Sequence, residues 1–94
     1  MQKITLNVRY DCDPDEYIAV ADVCKSMPGW IGNENDVYKW FGEEHHSRYI
    51  CGSVEPSGFL IEGKIEDNKW FSWIVELQKR LTIALGRTIQ DAEI

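Results

Sequence analysis

Glu43, Glu44, His45 and His46 follow one another directly and Cys51 lies a few residues on, so one short segment holds carboxylate, imidazole and thiol groups together. These are the residue types that bind zinc and that move protons in acid–base catalysis. Their spacing fits neither chemistry. Adjacent side chains on an extended or turning segment point apart, and a helical metal site needs ligands at i and i+4, as in HExxH. A nucleophile pair of Cys51 and His46 would have to be assembled by the fold, and the sequence marks no third group to orient it. The segment reads as a solvated turn, with no catalytic residue and no metal ligand assigned.

Other chemistry-bearing patterns have simpler explanations. Asp13 with Asp15, and Glu66 with Asp67, offer the paired carboxylates of a glycoside hydrolase, but both pairs fall at helix starts, where capping and the helix dipole favour acids. The glycines at 29, 32, 42, 52, 58, 63 and 86 never form GxGxxG or GxxxxGK[ST], so no phosphate cradle and no cofactor is expected. Gly52 and Gly63 fall inside strand-like runs, where a missing Cβ leaves room for an aromatic ring or a bulge.

The elements that must position these residues are legible in places. Ile4, Leu6, Val8 and Tyr10 alternate with Lys3, Thr5, Asn7 and Arg9, the period-2 pattern of a strand with one buried face. Asp13-Pro14-Asp15-Glu16 then reads as a helix start, with Asp13 as N-cap, Pro14 in the first turn and Glu16 completing a capping box. Tyr17, Val20, Ala21, Cys24 and Met27 form its apolar stripe until Pro28-Gly29. Residues 30–36 look like a loop, and Val37 to Phe41 a short strand. Arg48 to Val54 and Phe59 to Ile65 form a predicted hairpin across Glu55-Pro56-Ser57-Gly58, which suits a type I turn. Asp67 caps a long helix whose stripe is Trp70, Phe71, Ile74, Leu77, Leu81 and Leu85, with Gly86 at its C′ position. Thr88 to Ala92 offers a last strand. The order predicts a two-layer α+β sandwich, with an antiparallel sheet of four or five strands and two helices on one face, in a variant of the ferredoxin-like split βαβ layout. The runner-up is the same two layers with a different strand order.

Composition narrows the class further. The 94 residues carry 16 acids against 10 bases, a net charge of -6, with 44% hydrophobic residues, which suits a single domain over 1–94 with one core. Direct nucleic-acid binding is disfavoured, because that affinity comes mainly from Lys and Arg. The start lacks a signal-peptide apolar run and no stretch reaches the length of a membrane span, so a cytoplasmic protein is expected, away from membranes. Cys12, Cys24 and Cys51 are odd in number and widely spaced, which predicts reduced thiols.

Four tryptophans in a chain this short exceed what such a core usually needs. Trp73 falls off the stripe of the second helix, and Tyr38 and Trp40 stand beside the acidic stretch, so all three are candidate partner anchors. Residues 31–67 hold eight acids (Glu34, Asp36, Glu43, Glu44, Glu55, Glu62, Glu66 and Asp67) against Lys39, Arg48 and Lys64. Such a face speeds association with a basic protein. The partner-binding residues expected on these grounds are Asp36, Tyr38, Trp40, Glu43, Glu44, Glu55, Glu62 and Trp73, in a monomer or homodimer that is not an enzyme.

The run Ser53-Val54-Glu55-Pro56-Ser57-Gly58-Phe59-Leu60-Ile61-Glu62-Gly63, the Trp70–Leu85 helix and the small acidic whole resemble the immunity proteins of bacterial contact-dependent inhibition and related toxin systems. The resemblance is one of size, charge and layout, so no binding residue carries over by position. It implies tight binding to a cognate toxin, often a basic nuclease, with acidic side chains standing in for phosphates. The alternative is a structural or regulatory domain that pairs with itself through an exposed sheet edge.

Overall fold

In the computed structural model, which describes residues 1–43 and 46–92, the alternating start forms strand β1 (Gln2–Leu6) and the capped segment forms helix α1 (Pro14–Ser26). Four strands follow, β2 (Trp30–Glu34), β3 (Val37–Trp40), β4 (Tyr49–Glu55) and β5 (Gly58–Lys64), and then helix α2 (Asp67–Leu85). The strands make one antiparallel sheet in the order β1-β5-β4-β3-β2. Its register lines up one face as Ile4 and Leu6, then Ile61 and Phe59, Ile50, and Trp40 and Tyr38. These side chains join Val20, Val23 and Cys24 of α1 and Trp73, Ile74, Leu77 and Leu81 of α2 in a single buried cluster. Both helices therefore cover the same face, side by side, and the chain is a two-layer α+β sandwich. No helix among the described residues is long and apolar enough to cross a membrane.

The crossovers depart from a simple split layout in an instructive way. β1 and β2 run parallel with three strands between them, so the α1 connection spans nearly the whole sheet. The α2 connection keeps the narrow form. After α2 the chain returns antiparallel to β1, through a bridge between Leu6 and Asp91 and the bonds Asn7 N–H to the Gln90 carbonyl (3.0 Å) and Ala92 N–H to the Thr5 carbonyl (2.8 Å). β1 thus lies between β5 and this returning segment.

Several local expectations are corrected by packing. Trp30–Glu34 is a strand and not a loop; Gly32, Asn33 and Glu34 are poor strand formers, and the segment is held at the sheet edge because Trp30 packs edge-to-face against Trp40 (6.0 Å) and tilted against Tyr38 (6.1 Å). Asp13 is the N-cap of α1 but makes no side-chain cap bond, and Glu16 turns to Arg87 at 3.4 Å instead of closing a capping box. Asp67 lies inside α2, one residue beyond its N-cap Glu66, whereas Gly86 ends the helix left-handed as expected, its N–H bonding the Thr82 carbonyl at 3.0 Å. Phe71 does not join the core stripe and is 71% exposed. Gly52 and Gly63 do make room for rings, since a Cβ at these positions would stand 2.9 Å from Phe59 and 2.8 Å from Trp70.

Candidate functional site

Three of the expected partner residues meet at one end of the sheet. β2 and β3 are joined by a two-residue turn, Asn35-Asp36, in which both residues take positive φ (53° and 63°). That is the turn whose twist matches a hairpin, and Asn and Asp tolerate it better than other side chains. It sets Asp36 at the tip. The β3–β4 ladder stops at Tyr38↔Gly52, so Val54 and Glu55 at the end of β4 pair only with β5. Above this gap stand Tyr10, from the loop after β1, and Tyr17, from the first turns of α1, whose hydroxyl donates to the Tyr10 carbonyl at 2.6 Å. The result is a cleft of about 580 Å³ lined by Tyr10, Tyr17, Asp36, Tyr38, Val54 and Glu55.

The lining is one-sided in charge. Neither Asp36 nor Glu55 has a Lys or Arg partner among the described residues; Glu55 accepts only the Ser53 hydroxyl, at 2.7 Å. Tyr38 is 7% exposed, wedged between Trp30, Trp40 (6.3 Å) and Phe59 (6.0 Å). Its hydroxyl has no hydrogen-bond partner among the described residues, yet it is not sealed in, because no fully buried polar side-chain atom there lacks a partner. The oxygen therefore opens on the cleft that Tyr38 lines. Burial first, and then the neighbouring Cys24 and Asp36, hold the Tyr38 phenol above its ordinary pKa, and burial followed by Cys12, Tyr10 and the two nearby aspartates does the same for Tyr17. Both phenols stay neutral at physiological pH. A separate, smaller hollow beside the start of α1 is lined by Arg9, Asp11, Cys12, Asp13 and Glu16, and there Arg9 pairs with Asp11 at 3.0 Å and Arg87 with Glu16 at 3.4 Å.

The remaining expected residues lie elsewhere. Trp40 is not a surface anchor: it is fully buried, edge-on to Trp73 at 4.7 Å, and its indole N–H donates to the Cys24 carbonyl at 2.9 Å. Trp73 is also in the core, 6% exposed, with its N–H on the Pro28 carbonyl at 3.0 Å, because α2 is buried on two sides, by the sheet and by α1. Glu43, past the far end of β3, binds Lys39 at 2.6 Å, and this bond chiefly holds the Lys39 ammonium above its ordinary pKa. Glu62 sits on the uncovered sheet face, in register between Lys3 and Cys51. Glu44, with His45, lies outside the described residues.

Sequence reasoning missed Tyr10 and Tyr17. Both were assigned to buried stripes by periodicity, whereas β1 ends at Leu6 and Tyr10 is more than half exposed. A second hollow, of about 250 Å³, lies across the molecule between Met27, Pro28, Phe41 and Trp73, and is mainly apolar. Among the described residues no group of three or more His, Cys, Asp or Glu is placed to hold a metal ion. No protein family, curated protein or solved structure matches the chain.

Proposed function

We propose that this chain is a cytoplasmic binding protein, not an enzyme, that neutralises a basic partner, and that it serves as an immunity protein against a cognate toxin. The observation that carries the reading is the convergence of Asp36, Glu55 and Tyr38 on one cleft that, among the described residues, is lined by no Lys or Arg, in a chain of net charge -6. Asp36 is exposed and Glu55 half-buried, and neither is neutralised by a base of the described residues, so both are open to the counter-charge that a basic protein supplies. Binding is then fast and salt-sensitive, with the aromatic rings adding contact area that salt does not screen.

The test is capture of a stoichiometric basic partner at low and moderate salt by the wild-type protein and by an Asp36→Lys/Glu55→Lys variant that retains its far-ultraviolet circular dichroism. The reading expects the variant to lose the partner and any protection it gives to growing cells. Equal binding by the two proteins would remove Asp36 and Glu55 from the interface and with them this account.

One observation favours a second reading, self-association through β2. That strand is the outer member of the sheet and carries Ile31, half exposed. Its register shift between Trp30 and Gly32 and its polar Asn33 and Glu34 blunt the edge, which places this reading second. Light scattering over a concentration series separates them, since a chain that remains a monomer rules out self-pairing.

A further inference from the structure

We infer that the cleft between Tyr10, Tyr17, Asp36, Tyr38 and Glu55 is a receptor for a single arginine side chain presented by the partner. The inference rests on the proposed function and goes further by naming the group that the cleft recognises. Three features of the lining point to a guanidinium. The walls offer three acceptors, the carboxylates of Asp36 and Glu55 and the unpartnered oxygen of Tyr38, and among the described residues no amino or guanidino donor lines them. A guanidinium is all donor, with five N–H groups in one plane, and can meet acceptors on two or three sides at once. Tyr10 and Tyr17, whose rings are not enclosed in the core cluster, supply aromatic surface on which a planar cation stacks, an interaction that an ammonium makes only as a point charge.

The second, independent observation is Tyr38 itself. A phenol more than nine-tenths buried ordinarily finds a hydrogen-bond partner, and the other deeply placed polar rings here do: Trp40 bonds the Cys24 carbonyl and Trp73 the Pro28 carbonyl. Tyr38 alone of these three holds its ring in the core and presents its polar atom to the cleft, without a protein partner among the described residues. The volume of about 580 Å³ accommodates a long side chain together with the backbone that carries it.

The experiment is a titration of the intact protein, followed by amide and tyrosine ring resonances, with a capped arginine-containing tripeptide and with its lysine counterpart of equal charge. The expected result is saturable shifts centred on Tyr10, Tyr17, Asp36, Tyr38 and Glu55, with the lysine peptide weaker by about tenfold. The Asp36→Asn/Glu55→Gln variant should abolish binding, and Tyr38→Phe should weaken it by about fivefold without loss of stability, because that hydroxyl has no partner within the described protein. Equal affinity for both peptides overturns the arginine assignment while leaving the basic-partner reading intact. Shifts scattered over the uncovered sheet face overturn the cleft as the receptor. If the arginine peptide fails while the double charge reversal still abolishes partner capture, the partner's cation is not arginine; if both fail, the proposed function itself is lost.

Discussion

Replacing Trp40 with alanine separates the fold from the binding surface. Trp40 is completely buried at the centre of the ring cluster, 4.7 Å from Trp73 and about 6 Å from Trp30 and Tyr38. Truncating such an aromatic residue costs ~3–5 kcal/mol in lost transfer energy and residual cavity. Loss of the indole bond to the Cys24 carbonyl adds about 0.5–1.5 kcal/mol. The lower end of that range applies, because the same carbonyl also accepts the Met27 N–H at 3.3 Å. The sum, roughly 3.5–5.5 kcal/mol, is a third or more of the roughly 5–10 kcal/mol available to a domain of this size. In urea, where such domains lose about 1–2 kcal/mol per molar, the midpoint should fall by about 3 M, or the variant should be unfolded without denaturant. Conservative changes at the cleft, Asp36→Asn and Glu55→Gln, should move it by less than about 0.5 M on the same slope. A midpoint for Trp40→Ala within that small range of wild type would show that the ring cluster is not the core, and the distinction between structural and partner-facing aromatics would fall with it.

Three further outcomes are expected. Asp36→Gly relieves a left-handed side-chain-bearing residue, worth about 1–2 kcal/mol, against an unfolded-state entropy cost of about 0.4–1 kcal/mol, and should leave stability in urea equal or up to about 1 kcal/mol higher while weakening cation binding. Gly63→Ala puts a methyl group 2.8 Å from the Trp70 ring and 3.2 Å from Ile50 and should cost about 1–3 kcal/mol, read as a lower thermal midpoint. Burial pushes the Cys24 thiol up to about 12 from 9.0, so the unfolded chain ionises first. Stability from this group is complete below pH 9 and is lost as pH rises toward 12, by about 1.4 kcal/mol at the first unit. Cys24→Ala should flatten that part of the alkaline limb relative to wild type, and an unchanged slope would show that the thiol does not contribute to it.

How much of this was legible in the sequence depended on what held each element in place. β1, α1, the β4–β5 hairpin and α2 carry their own signals in alternation, capping residues, turn chemistry and helical spacing; the helices and the hairpin formed close to where those signals put them, while β1 stops at Leu6, short of the alternation that runs to Tyr10. β2 has no such signal. Its Gly32, Asn33 and Glu34 favour a loop, and only the packing of Trp30 against a strand ten residues later makes it part of the sheet. Trp73 and Phe71 exchanged environments for a related reason. Periodicity gives a helix one buried face, but α2 packs against both the sheet and α1, and the second contact turns Trp73 inward and leaves Phe71 out. In the cleft, Asp36, Tyr38 and Glu55 were found through charge and ring type, whereas Tyr10 and Tyr17 come from a different part of the chain and are joined to them only by the fold.

The aromatic surplus noted in the sequence then takes on a use other than direct contact. Trp30, Trp40 and Phe59 surround Tyr38 on its ring faces and edges, and Gly52 opposite it leaves the space into which Phe59 leans. A phenol so confined has lost its rotamer freedom on folding, and a ligand that bonds its hydroxyl does not have to order it again. The backbone at Asp36 is fixed by a two-residue turn, while its exposed carboxylate keeps its rotamer freedom. One acceptor of the cleft, the Tyr38 hydroxyl, is thus set in position by the core that the tryptophans build. Changes to Trp40 should therefore reach binding only through the loss of that scaffold, whereas changes to Tyr38, Asp36 and Glu55 should reach it directly.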